Sequence, residues 1–134
     1  MSNEYDGWAK FKAGIGDGDF QAGVRAIDEA IKLLQDEYGQ EILSIVLFGS
    51  FARKDQHYDD IDLLLVTNQE QGSVHEVTRE LARKVFGRLF LDHGQLFSFI
   101  VYNKAQFQRL KDFLPLFDEV RRDGVLLYGE DLFA

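Results

Sequence analysis

The stretch from Ser44 to Thr67, SIVLFGSFARKDQHYDDIDLLLVT, limits what this chain can fold into more than any other part of it. An apolar run ends in Gly49-Ser50, a polar excursion follows, and Asp60-Ile61-Asp62 heads a second apolar run. Both runs are too uniformly apolar for a half-exposed hairpin, so they read as central strands of one sheet, Ile42 to Phe48 and Asp60 to Thr67. Side chains alternate along a strand, which puts Asp60 and Asp62 on the same face. Two neighbouring carboxylates repel unless a cation sits between them, and a divalent metal with oxygen ligands is the usual solution. Gly49 and Ser50, at a strand end, suit a phosphate: glycine admits close approach and the serine hydroxyl can donate.

The remaining pattern supplies helices around those strands. Asp19 can cap a helix whose stripe is Phe20, Val24, Ile27, Ile31, Leu34 and Tyr38, with Gly39 as its stop. Ser73-x-x-Glu76 reads as a capping box for a second helix with Val74, Val77, Leu81, Val85 and Leu89 on its buried side, broken at Asp92-His93-Gly94. Gln95 to Tyr102 reads as a third strand, Lys104 to Phe113 as a helix, and Pro115 to about Arg122 as another. Asp123-Gly124 turns into a last strand, Val125 to Tyr128. The expected fold is α/β (α+β), order α-β-β-α-β-α-α-β, with a small mixed sheet and helices mainly on one face. Residues 1–18 show no clear period and are expected to be a flexible, loosely packed segment that Trp8 and Phe11 could anchor; residues 19–134 form the single domain.

Composition narrows the function classes. A formal charge of −8 argues against generic nucleic-acid binding, which needs lysine and arginine to displace counterions. There are no cysteines for disulfides or thiolate metal sites. No stretch is apolar enough to span a bilayer and the polar N-terminus lacks an apolar signal core, so no membrane association and a cytoplasmic location are expected. Phe107, Phe113, Phe117 and Phe133 crowd the C-terminal part, where an exposed aromatic would mark an interface. His57, His75 and His93 do not cluster at metal-ligand spacing.

Gly-Ser, nine residues, then Asp-x-Asp closely resembles the signature of the DNA polymerase β–type nucleotidyltransferase superfamily. More narrowly, the chain is similar to the minimal nucleotidyltransferases, small proteins often encoded beside a HEPN-domain protein as toxin–antitoxin pairs. The resemblance is strongest over Ile45 to Val66 and looser beyond. It implies a site in which Gly49 and Ser50 hold the phosphates of ATP or another nucleoside triphosphate, with Arg53 either contacting phosphate or fixing the loop against Asp60. Asp60 and Asp62 would bind Mg²⁺ as catalytic metal ligands, and AMP would pass to a hydroxyl of a HEPN-type toxin partner.

The sequence departs from the family pattern twice. Lys54 stands where the family usually has glycine, a position suited to positive φ, and would bring a charge near the phosphates. Catalytic members also carry a third carboxylate on the next strand, where this chain has none. Ser98 is the candidate for that position, with Asp92 as the substitute if the register differs. The alternative expectation is therefore a weak or inactive module that acts by nucleotide and partner binding.

Overall fold

The structure, a computed structural model, describes residues 5–16, 18–68 and 74–133. Helix α1 (Asp6–Ala13) precedes the twenty-residue α2 (Asp19–Tyr38). A 3₁₀ turn at Gly39–Glu41 leads into β1 (Ile42–Phe48), the single helical turn α3 (Gly49–Ala52) and β2 (Ile61–Thr67). Helix α4 (Val74–Leu81) continues through a π-helical turn at Ala82–Phe86 into α5 (Gly87–His93). Strand β3 (Phe97–Asn103), helices α6 (Lys104–Leu110) and α7 (Pro115–Asp123), and β4 (Val125–Gly129) complete the order.

Among the described residues the strands form one four-stranded sheet in the order β3-β2-β1-β4. Strand β1 pairs antiparallel with both β2 and β4, whereas β2 and β3 run parallel. The sheet is thus mixed, and β1 and β2 are its central strands, which explains why they carry almost unbroken apolar sequence.

Period-two alternation divides the core into two layers. Ile45 and Leu47 of β1 and Ile61, Leu63 and Leu65 of β2 face α2, α4 and α5, packing with Ile27, Leu34, Leu81, Val85 and Leu89. Val46, Phe48, Leu64 and Val66 face the other way, against Phe107 of α6 and Phe117 and Val120 of α7. The larger helical layer lies on one face, and a smaller pair covers the second. Each fully buried aliphatic or aromatic side chain contributes about 1.5–3 kcal/mol relative to exposure.

Helix α1 departs from the expectation of loose packing before residue 19. Trp8 and Phe11 are buried, their rings stacked at 5.4 Å. The Trp8 indole N–H donates to Asp28 Oδ1 of α2 at 2.8 Å. Two aromatic anchors three residues apart suffice to dock a short helix whose other residues are small or charged. Gly18 is the N-cap of α2, so the helix starts at Asp19 itself. Gly39 ends it at φ +49 as its stop residue. The Ser73 capping box lies outside the described residues. Helix α6 is held instead by a box absent from the sequence reading: Asn103 Oδ1 accepts from the Gln106 backbone N–H, and Gln106 Oε1 accepts from that of Asn103.

Candidate functional site

The last residue of β1, Phe48, pairs with Asp62 near the start of β2, so the chain leaves β1 directly beside that carboxylate. Asp62 has the parity of Leu64 and Val66 and projects on the sheet face covered by α6 and α7. Asp60, two residues earlier, precedes the strand and acts electrostatically on Asp62. Gly49 takes φ +77, and a Cβ added there would lie 2.1 Å from Asp62 Oδ2. This close approach is why the position is glycine. Ser50 follows on α3, partly exposed.

Burial pushes the Asp62 carboxyl above its ordinary range, and the charges of Asp60 and Glu119 add to this. The Arg53 charge and a hydrogen bond from the Ser98 hydroxyl oppose it. Ser98 stands opposite Asp62 in the parallel β2–β3 ladder. Asp92 lies on α5, before β3 begins, and its carboxylate lies 3.7 Å from Arg88 Nε as an ion pair. The Asp92 alternative is not brought to this ladder position. Among the described residues no group of three or more His, Asp or Glu side chains is placed to hold a metal ion.

Arg53 sits just after α3 and pairs with Asp55, not with Asp59. Two residues of α7 that the sequence reading passed over, Glu119 and Asp123, also reach it, at 3.2 and 3.7 Å from Nη1. Their four-residue spacing puts them on one helix face, but nothing local in the sequence says which cation that face meets. Arg122 donates to Asp123 from Nε and Nη2. That hydrogen bonding, with the charges of Arg122 and Arg53, holds the Asp123 carboxyl below its usual range.

Lys54 does adopt φ +61, the left-handed conformation that favours glycine. Its ammonium lies over the Phe11 ring, 4.9 Å from the centroid, so its charge is directed at α1 and not at Gly49-Ser50 as the sequence reading expected. Lys54→Gly should therefore raise stability by about 0.5 kcal/mol, the relief of left-handed strain exceeding the lost cation–π contact and the added chain entropy. Urea melts would show a higher midpoint at unchanged slope; a lower midpoint would mean that the Phe11 contact dominates.

The polymerase beta nucleotidyltransferase family model matches residues 28–132, most of the chain, and this protein belongs to that family. It is 27% identical over 111 residues to a Methanocaldococcus jannaschii protein named as a candidate protein adenylyltransferase, MJ1305, spanning 80% of this chain and 72% of that one. Its fold is similar to a chain in a crystal structure of a mutant of the toxin–antitoxin MntA–HpeT, with TM-score 0.52 and 20% identity over 78% of this chain and 73% of that one. A structure of a toxin–antitoxin with AMP-PNP gives TM-score 0.51 at the same identity and coverage. Among the described residues no helix is long and apolar enough to cross a membrane.

Proposed function

We propose that this protein transfers AMP from ATP to a hydroxyl of a partner protein, acting with Mg²⁺ in the manner of an antitoxin on a HEPN-type toxin. The observation that carries this reading is the placement of Asp60 and Asp62 at the head of β2 with Gly49 packed against Asp62 at the end of β1. A half-buried carboxyl kept above its usual range, with a second acid beside it, fits a hard divalent cation with oxygen ligands. The two aspartates would hold it, and triphosphate oxygens and water would complete its shell. Bound there, Mg²⁺ supplies charge neutralisation along the triphosphate.

The chain's own residues do the positioning. Gly49 admits a phosphate close to the backbone, the Ser50 hydroxyl donates to a phosphate oxygen, and Arg53 offers a guanidinium. The acceptor oxygen attacks the α-phosphorus in line. The new P–O bond replaces the bond to the β-phosphate oxygen, pyrophosphate leaves, and the hydroxyl proton passes to water. Support also comes from the adenylyltransferase name of the archaeal relative and the AMP-PNP of a structural neighbour.

The test is incubation with α-labelled ATP, Mg²⁺ and the product of the adjacent gene. Label should appear on the partner and be absent with Asp60→Ala/Asp62→Ala; no label with the wild type, or equal label with both, sinks the reading. Ser98 facing Asp62 favours a second reading, in which the protein binds nucleotide and partner but transfers slowly for want of a base. Ser98→Asp restores a carboxylate there and should raise the transfer rate by about 10–100-fold. An unchanged rate would remove Ser98 as the limiting feature.

A further inference from the structure

Arg53 has more carboxylate around it than a loop arginine needs. Its Nε donates to Asp55 Oδ2 at 3.3 Å, and its Nη2 lies 3.2 Å from the same oxygen. Its Nη1 donates to Glu119 Oε1 at 3.2 Å and lies 3.7 Å from Asp123 Oδ2. Asp55 is only two residues away and moves with the same loop, so that pair alone cannot fix the guanidinium against the sheet. Glu119 and Asp123 are different in kind. They sit one turn apart on α7, a helix anchored by the buried Phe117 and Val120. Asp123 is itself braced by two hydrogen bonds from Arg122. At its other end Arg53 caps α3, the turn that opens with Gly49 and Ser50.

We infer that Glu119 and Asp123 are positioning residues that hold the Arg53 guanidinium at the end of α3, ready for the β- and γ-phosphates of the nucleotide. This rests on the reading of Gly49, Ser50 and Arg53 as the phosphate end of the site. An arginine carries several rotatable bonds, and fixing it before binding removes an ordering cost that would otherwise weaken the complex. Exposed ion pairs exchange partners at little cost, so Arg53 can give part of its fork to phosphate while α7 keeps the rest.

The sign of the effect separates this role from simple charge. Glu119→Gln and Asp123→Asn each remove a negative charge near a polyanion, so plain electrostatics makes ATP bind more tightly. Positioning makes it bind more weakly. Calorimetry on the full chain with Mg²⁺ should show the Glu119→Gln/Asp123→Asn protein binding ATP about tenfold more weakly than wild type. AMP, which lacks the phosphates Arg53 would meet, should be unaffected. On an Arg53→Ala background, Glu119→Gln should change ATP binding no further. Unchanged or tighter ATP binding by the double variant overturns the inference, as does an equal loss for AMP or a loss that persists without Arg53. A wild type that binds no ATP overturns both this and the nucleotide reading; a wild type that binds, with indifferent α7 variants, overturns this one alone. Thermal melts of the same variants confirm that each is folded.

Discussion

Asp62→Asn is expected to cut transfer about a thousandfold or more while raising the melting temperature of the ligand-free protein by about 2–4 °C. The two effects have one cause. Burial, then Asp60 and Glu119, keep the Asp62 carboxyl above its ordinary range despite Arg53 and the Ser98 hydroxyl. A carboxyl whose folded pKa is raised holds its proton more tightly in the folded state than in the unfolded one. Its cost is absent below the unfolded value, grows as pH rises through the window up to the folded value, and is complete at neutral pH. Asparagine keeps the shape and can still accept from Ser98, but it carries no charge to desolvate and is a far poorer cation ligand. The stability gain of the variant should therefore vanish at about pH 3 and be fully present at about pH 7. Melts across that range check it. A variant less stable than wild type at neutral pH would make Asp62 a structural residue, and full transfer by the variant would remove it from the site. A charge held at a cost to folding is common where the same charge is needed for function.

The strands were legible because their information is local. Ile42 to Phe48 is a strand with the bounds its apolar run suggests, whereas β2 begins at Ile61, one residue later than expected, which leaves Asp62 in the strand and Asp60 just before it. Gly39 and Pro115 mark helix ends for reasons contained in one residue, a positive φ and a preset first turn. Ser98 stands out in the sequence as the polar residue inside the third apolar run; the observed strand begins two residues later than Gln95 and pairs Ser98 with Asp62.

What escaped the sequence depends on contacts between distant elements. The α1 helix has a weak pattern of its own and is recruited by Trp8 and Phe11 docking on α2 and the sheet. The π-helical turn at Ala82–Phe86 interrupts a stripe that reads as continuous. Glu119 and Asp123 look like the solvated side of an ordinary helix until α7 is placed beside α3. Gly49, Ser50, Arg53, Asp60 and Asp62 all lie in one short stretch, whereas the carboxylates that pair with Arg53 from α7 come from the far end and become visible only in three dimensions.

Gly49→Ala should cost about 2–4 kcal/mol of stability and abolish ATP binding. Alanine at φ +77 is strained whatever surrounds it, which accounts for about 1–2 kcal/mol. The rest arises from collision, because the new methyl would lie 2.1 Å from Asp62 Oδ2 and 2.9 Å from its carboxyl carbon. Asp62 has too short a side chain to swing clear without leaving Ser98 and the face that α7 covers. The two sites should therefore couple: in Gly49→Ala/Asp62→Ala the carboxylate is gone, most of the collision goes with it, and only the backbone strain and a contact of 3.1 Å with the Asp62 Cβ remain. The double variant should be more stable than Gly49→Ala alone, an ordering that urea denaturation resolves directly. Simple additivity would mean that the cost lies in backbone conformation and that Asp62 can move. The coupled result carries a functional consequence. The space that glycine leaves open is the space Asp62 occupies, so any side chain there displaces the Asp62 carboxylate.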